Sequence, residues 1–459
     1  MEFEKSGATG FVFKDEVIAD LLGDIEPGSV LLVLGHPGAG KSTFAAGILF
    51  ENCLRFNVKG VYISLAETRE KFYNYMKKFS MDFEYGEKKN LVEFIHMPTL
   101  AGKELLEAIT STLSTKIFTE GYSIAVVDSI TPILNVLTTD EARSYLHSTL
   151  YNLSSVAKAL LILISDLPFA TETVDLKGLE FIADAVFVFK TRIEKRMISR
   201  FMEVRKFRGK SIPMAEMPFV IEEGKGIRCL LPPTTAEVPY SMAMTSYRDE
   251  CTNSVWGSIL SGTYVGIVSR CNIIPFSIWL LLTKLIMNYG LNYGILSFRE
   301  SKEVTKEVIS KSAQVLGIPP HYILQKSVFI ESLNPSIFSS QQLEAMLYRF
   351  AEQNINFFII DGAEALYLHH DPLYVDQMLR SLSTYIKNGL ITVFELINGV
   401  YTQTQTSRYD IVHEIICREN TVEHNVVRGR IAAIDIASYN LVTRISEESI
   451  LKCLNIVQR

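Results

Sequence analysis

The 459-residue chain repeats itself at a fixed offset of 233 residues, which forces two similar units rather than one large core. Val30–Leu34 falls on Thr263–Ile267. Gly60-Val61-Tyr62-Ile63-Ser64-Leu65-Ala66-Glu67 falls on Tyr293–Glu300, placing Glu67 over Glu300, and Ile124–Ser129 falls on Phe357–Gly362, placing Asp128 over Asp361. Apolar strands align by chance easily. Two acids at strand ends sharing one register are harder to obtain that way, so the chain is read as a duplicated α/β unit.

Each copy reads as strands alternating with helices. Ser29–Leu34 is a continuous apolar run opened by Pro27-Gly28, the pattern of a strand buried on both faces of a parallel sheet. Phe44–Phe50 follows with the spacing and small residues of a helix packed on that sheet. Further runs at 60–65, 91–95, 123–127, 159–164 and 185–189 predict an α/β fold, two tandem domains each with a mostly parallel sheet flanked by helices. Leu231–Pro239 is a proline-rich break near the midpoint. The expected domains are residues 1–232 and 244–459, joined by a linker over 233–243.

Between the first strand and its helix stands Gly35-His36-Pro37-Gly38-Ala39-Gly40-Lys41-Ser42-Thr43, a phosphate-loop pattern in strand-to-helix context. Backbone N–H groups from Gly38 to Thr43, aided by the helix dipole, would cradle phosphates, with Gly35, Pro37 and Ala39 shaping the loop. Lys41 would neutralise the terminal phosphate oxygens and the Ser42 hydroxyl would ligate Mg²⁺. Asp128, ending an apolar strand, is the candidate second Mg²⁺ residue; its bland reading is a cap on the next turn. Glu67, ending another, could orient or activate a water, against the reading of a solvated loop acid. At the repeat offset the loop becomes Val268-Ser269-Arg270-Cys271-Asn272-Ile273-Ile274-Pro275-Phe276, without glycine or lysine. The second copy is therefore expected not to hold a triphosphate, and Glu300 and Asp361 to be inherited scaffold.

The set Gly35–Thr43, Glu67, Val126-Val127-Asp128-Ser129 and Lys206-Phe207-Arg208-Gly209 resembles the KaiC branch of the RecA-like ATPases through essentially the whole first half. The second half looks like a degenerate copy, so the resemblance implies tandem RecA-like domains with one intact site. It also implies ATP and Mg²⁺ as ligands, self-association into a hexameric ring, and a regulatory ATPase of low turnover. Lys206 and Arg208 would then be fingers that reach the nucleotide of the neighbouring subunit and offset charge on the transferring phosphoryl group. A basic solvated hairpin is the plain reading of the same residues. Family members often carry two acids where this chain has Ala66-Glu67. In the second half Arg428-Gly429 matches part of the finger motif, but Val426 replaces its lysine. The autokinase activity of that branch depends on an intact second site and is not carried over.

Composition narrows the alternatives. With 45 basic and 51 acidic residues the net charge is −6, so no global positive field favours nucleic acid or an anionic membrane. A recombination or repair ATPase would place basic loops at Thr131–Glu141 and Asp166–Glu180, where Lys177 is the only basic residue. A nucleotide-gated scaffold without turnover is the third reading. The longest apolar stretch, Ile273–Leu282, is too short to span a bilayer, and residues 1–13 lack a signal-peptide core. The six cysteines show no C-x-x-C spacing, and the expectation is unpaired thiols in a reducing cytoplasm. His369-His370-Asp371 is expected to be a solvated loop, and His413, Cys417 and His424 packing residues on a hairpin. The cluster Phe72-Tyr73-Tyr75-Phe79 is expected to be a packing face. The partner protein is not specified.

Overall fold

A computed structural model describes residues 10–97, 103–136, 146–168, 179–194, 196–231, 246–247, 249–257, 259–271, 273–399, 408–418, 421–428 and 442–456. The expected linker, Lys177, Gly429 and most of the two candidate DNA loops lie outside the described residues. By its contacts the chain divides into two compact units, Met1–Leu231 and Pro232–Arg459.

In the first unit every apolar run named above is a strand: β1 (Val30–Gly35), β2 (Gly60–Ser64), β3 (Val92–His96), β4 (Ile124–Asp128), β5 (Leu160–Asp166) and β6 (Ala185–Glu194). Three antiparallel strands continue the sheet, β7 (Met197–Phe207), β8 (Glu216–Glu222) and β9 (Gly226–Cys229), in the order β3-β2-β4-β5-β1-β6-β7-β8-β9. The first six are parallel. Strand alternation then sorts the side chains. Leu31 and Val33 pack with Phe44 and Ile48 of the helix Lys41–Phe56, whereas Val30, Leu32 and Leu34 pack with Leu105, Ile109 and Leu153 on the other face. Both faces are dry, which is why the strands read as unbroken hydrophobic runs.

The second unit repeats the design. Its short strands β10 (Ser246–Tyr247) and β11 (Ile259–Leu260) pair with each other. Then come β12 (Tyr264–Ser269), β13 (Tyr293–Ser297), β14 (Ser327–Ser332), β15 (Phe357–Asp361), β16 (Thr392–Asn398), β17 (Ile411–Arg418), β18 (Thr421–Arg428) and β19 (Val442–Ser446). Their order, β14-β13-β15-β16-β12-β17-β18-β19, matches the first sheet's order from β3 through β8, with no counterpart of β9 among the described residues. Two mostly parallel sheets flanked by helices make this an α/β protein of two tandem RecA-like units. The repeat extends to single hydrogen bonds. Leu65 N–H donates to Asp128 O, as Phe298 N–H does to Asp361 O, both at 2.8 Å. The carboxylates of Asp184 and Asp410 each accept from the backbone N–H that opens the central strand, Val30 and Tyr264 respectively, both at 2.9 Å.

The second interior is more polar than the first. Arg408 lies buried with Glu395, Nη2 to Oε1 at 2.6 Å, and also meets Asp376 at 3.3 Å. By strand register Glu395, paired with Gly266, takes the position of Leu163, paired with Leu32. A second buried chain runs from the Trp256 indole N–H to His413 Nδ1 (2.9 Å), from His413 Nε2 to His424 Nδ1 (2.8 Å), and from His424 Nε2 to Glu447 Oε2 (2.6 Å). The indole can only donate, so His413 accepts at Nδ1 and carries its proton on Nε2. Burial, followed by the neighbouring His424, holds the His413 pKa well below the usual imidazole range. His413, Cys417 and His424 stand on the hairpin β17–β18, as expected.

Three expectations need correction. Cys251 is bonded to Cys453 and Cys271 to Cys417, leaving Cys53 and Cys229 as free buried thiols. The partners are separated by 202 and 146 residues, so local spacing carried no trace of them. His370 is not solvated: it is buried, with ring nitrogens 2.9 Å from Ser340 Oγ and from Pro335 O, while Asp371 caps the helix Pro372–Asn388. In the aromatic cluster Phe72 and Tyr73 are core, but Tyr75 is exposed. Among the described residues no helix is long and apolar enough to cross a membrane.

Candidate nucleotide site

The loop Gly35–Gly40 leaves the carboxyl end of β1 and enters the 16-residue helix Lys41–Phe56. Gly40 caps that helix at φ 107°, a left-handed conformation that side chains rarely adopt, and a Cβ there would lie 3.1 Å from Ile227 Cδ1. At Gly35 a Cβ would lie 2.4 Å from Phe189 O on β6, so only glycine allows that approach. Pro37 and Gly38 are exposed at the rim, Ala39 is buried, and Ser42 and Thr43 are half-buried in the first turn. First-turn N–H groups lack intrahelical acceptors and carry the positive end of the dipole, which suits the spot to an anion.

Lys41 is buried and folded into its own loop. Its Nζ donates to Gly35 O and His36 O, each at 2.9 Å, and pairs with Asp166 Oδ1 at 3.0 Å. Asp166 is the register partner of Gly35 on β5, and its other oxygen accepts from Ser129 Oγ at 3.1 Å and Thr131 Oγ1 at 3.3 Å. No sequence motif marks Asp166. Its only signal was an acid closing an apolar run.

Asp128 closes β4 one strand further along. Its Oδ2 accepts from Ser42 Oγ at 2.7 Å and from the Tyr62 hydroxyl at 2.6 Å. Burial raises the Asp128 pKa, against the two hydrogen bonds and the Lys41 charge, which lower it. Burial also drives the Tyr62 phenol up, with the Asp128 charge adding to it. Tyr62 is a second residue the motifs did not reveal. A hydroxyl and a carboxylate held together at a phosphate-binding helix terminus are hard oxygen donors of the kind Mg²⁺ takes, one carboxylate plus phosphates and waters. Ser42 and Asp128 could hold that ion, and the residues present fit it.

Glu67 sits in the turn after β2, its backbone N–H donating to Ser64 Oγ at 3.0 Å. Partial burial raises its pKa, and the nearby Asp128 charge raises it further. Thus Lys41, Ser42, Asp128, Asp166 and Glu67 gather at the carboxyl end of the sheet, the edge where open α/β sheets bind ligands.

Lys206 and Arg208 do not join them. Arg208 Nη1 pairs with Asp184 Oδ1 at 3.0 Å, and its Nη2 donates to Phe181 O at 3.2 Å, as does Lys206 Nζ at 3.3 Å. Asp184 bonds Val30, at the start of β1, so this pair stands at the opposite edge from the loop. Six strand residues, roughly 20 Å, separate the two edges.

In the second unit the equivalent position has been rebuilt. Asp361 accepts from Ser297 Oγ at 2.9 Å, but Arg299, aligned with Ala66, places Nη1 3.5 Å from Asp361 Oδ1 and also pairs with Glu364 at 2.8 Å. Asn398 is the register partner of Ser269, where Asp166 pairs with Gly35 in the first unit. Arg428, the remnant of the finger motif, is buried and donates to the carbonyls of Trp256 at 2.8 Å and Val255 at 3.3 Å. One guanidinium thus stands beside Asp361, and another caps the helix Glu250–Trp256.

The family model described as "ATPase: KaiC" matches residues 8–233. The "Circadian clock protein KaiC3" of Synechocystis sp. (strain ATCC 27184 / PCC 6803 / Kazusa) is 25% identical over 234 residues, 49% of this chain. The match covers 44% of that protein, so the chain is aligned with less than half of its relative. Over residues 8–233 the chain is thus similar to the KaiC ATPase domain.

Proposed function

We propose that the first unit binds Mg-ATP and hydrolyses it slowly, acting as the nucleotide-dependent switch of a self-associating regulatory ATPase whose second unit binds no triphosphate. The observation that carries this reading is the meeting of Ser42 with Asp128 and of Lys41 with Asp166 around one glycine loop. Backbone N–H groups of the loop and first turn bind the phosphates. Lys41 exchanges its carbonyl and Asp166 contacts for phosphate oxygens, and Ser42 and Asp128 hold Mg²⁺, which supplies charge neutralisation between phosphates. Glu67 orients the attacking water and receives its proton, a role helped by the raised affinity for protons that burial gives it. Lys206 and Arg208 cannot reach their own loop across the sheet, which supports a role on the phosphates of a neighbouring subunit in a ring.

Light scattering with and without Mg-ATP, together with steady-state turnover of wild type, Lys41→Ala and Arg208→Ala, tests the proposal. Lys41→Ala should weaken nucleotide binding, and Arg208→Ala should lose turnover in the assembled state. Nucleotide affinity unchanged by Lys41→Ala would remove the site. A second reading, binding without turnover, is favoured by Ala66 standing where a second acid would be. It predicts nucleotide-dependent assembly with no phosphate release. Salt-sensitive association with single-stranded DNA would instead promote a repair ATPase.

A further inference from the structure

The two disulfides of the second unit differ in place and in access. Cys251–Cys453 joins the helix Glu250–Trp256 to the helix Glu447–Cys453, with Cys251 only 2% exposed within that unit's core and Cys453 half-buried against it. Cys271–Cys417 lies at the surface, with Cys417 exposed and Cys271 half-buried. It also lies where the phosphate loop used to be. Cys271 stands two residues past the end of β12, as Pro37 stands two past the end of β1, and its partner is on β17, the strand that follows the central β12 in the sheet. The Arg270 N–H donates to Ile415 O at 2.8 Å, so the loop is laid along β17 before the bridge locks it there. Cys271 N–H also donates to Ser269 Oγ at 3.2 Å, which keeps the loop's start folded independently of the bridge. Arg270 and Arg418 flank the two cysteines in sequence, and both are exposed and ion-paired at the surface, with Glu414 and Glu423.

We propose that Cys271–Cys417 is a thiol–disulfide exchange site, opened in the folded protein by a dithiol reductant, and that it clasps the degenerate phosphate loop to β17. Cys251–Cys453 is then the structural bridge that the same reductant leaves closed. In the first step a thiolate of the dithiol attacks the exposed Cys417 Sγ. The Cys271–Cys417 bond breaks and Cys271 departs as a thiolate, which takes a proton from water. The reagent's second thiol then attacks the mixed disulfide, releasing Cys417 and closing the reagent to its own disulfide. Two electrons and two protons pass to the protein, and the reagent is oxidised by two electrons.

The test uses the full-length protein, purified without reductant and never denatured. It is exposed to dithiothreitol, quenched and alkylated at intervals, and its cysteine peptides are quantified by mass spectrometry. Cys271 and Cys417 should become labelled at least about tenfold faster than Cys251 and Cys453. Buried Cys53, whose thiol burial pushes upward in pKa, should stay unlabelled and so report that the fold is intact. Hydrogen exchange of the same sample should speed up in 270–276 and 411–418 and stay unchanged in β13 and β15. Labelling of all four bridged cysteines at one common rate, or of Cys271 and Cys417 before any reductant is added, overturns the proposal. So does exchange that is identical in the oxidised and reduced proteins. A Cys417→Ser variant should show the fast exchange without reductant; if it does not fold, the wild-type labelling order still decides.

Discussion

Ser42 and Asp128, 86 residues apart, share a 2.7 Å hydrogen bond at the mouth of the glycine loop, and Tyr62 donates to the same carboxylate oxygen from beneath. The hydroxyl and the carboxylate are thus held together by the protein alone. Asp128→Asn keeps the shape and removes the charge proposed to hold Mg²⁺. Titration with ATP in the presence of Mg²⁺ or a chelator should show at least about a tenfold affinity difference in wild type, and little in the variant.

Lys41→Ala removes the buried ammonium that meets two carbonyls and Asp166. Loss of a charge-assisted contact of about 1.5–3 kcal/mol predicts roughly 10- to 100-fold weaker ATP binding by calorimetry. Asp166→Asn, which frees the lysine from its internal partner, should leave binding equal or tighter.

Glu67→Gln should preserve nucleotide affinity and lower turnover by about 10²–10⁴, read as phosphate release at saturating ATP. Arg208→Ala should lower turnover in a different pattern, only at protein concentrations where wild type assembles. Its pairing with Asp184 is at the surface, so thermal unfolding should shift by less than about 1 kcal/mol. A large loss of stability would mark Arg208 as a structural residue.

His413 gives the second unit an acid sensitivity. Burial depresses its folded pKa, so below about 6.5 the unfolded chain binds a proton that the folded unit refuses. Its contribution is complete above that pH and falls by up to about 1.4 kcal/mol per pH unit below it. The groups around it are the Trp256 indole, His424 and, through His424, Glu447. Chemical denaturation between pH 5 and 8 should show a shallower acid slope for His413→Gln than for wild type, the amide being able to accept from Trp256 and donate to His424.

Arg408→Met leaves Glu395 buried and without its cation. It should destabilise the second unit by about 3–5 kcal/mol in denaturant titrations, and the double change Arg408→Met with Glu395→Leu should recover much of that loss.

Sequence patterning located the parallel core because β1 and residues 160–164 of β5 bury both faces and so read as unbroken apolar runs. The glycine loop was legible for a similar reason: Gly35 and Gly40 answer to local backbone geometry that another residue would violate. Contacts made only by folding were not legible. Asp166 reaches Lys41 because β5 lies beside β1, and Tyr62 reaches Asp128 because β2 lies beside β4; neither neighbourhood is written in local spacing. The disulfides were missed on the same ground. The placement of Lys206 and Arg208 at the far edge follows from the antiparallel return of β7 along β6, which the charge pattern did not reveal.

The Arg299 guanidinium beside Asp361 makes the divergence of the two copies one-way. Grafting the residues of 35–43 onto 269–277 would restore the glycines and the lysine, yet a fixed positive charge would still stand beside Asp361, and a Cβ at Gly362, whose φ is 78°, would lie 2.8 Å from Arg299 Cβ. Reviving the silent copy would need at least Arg299 changed together with the loop, two alterations neither of which is useful alone.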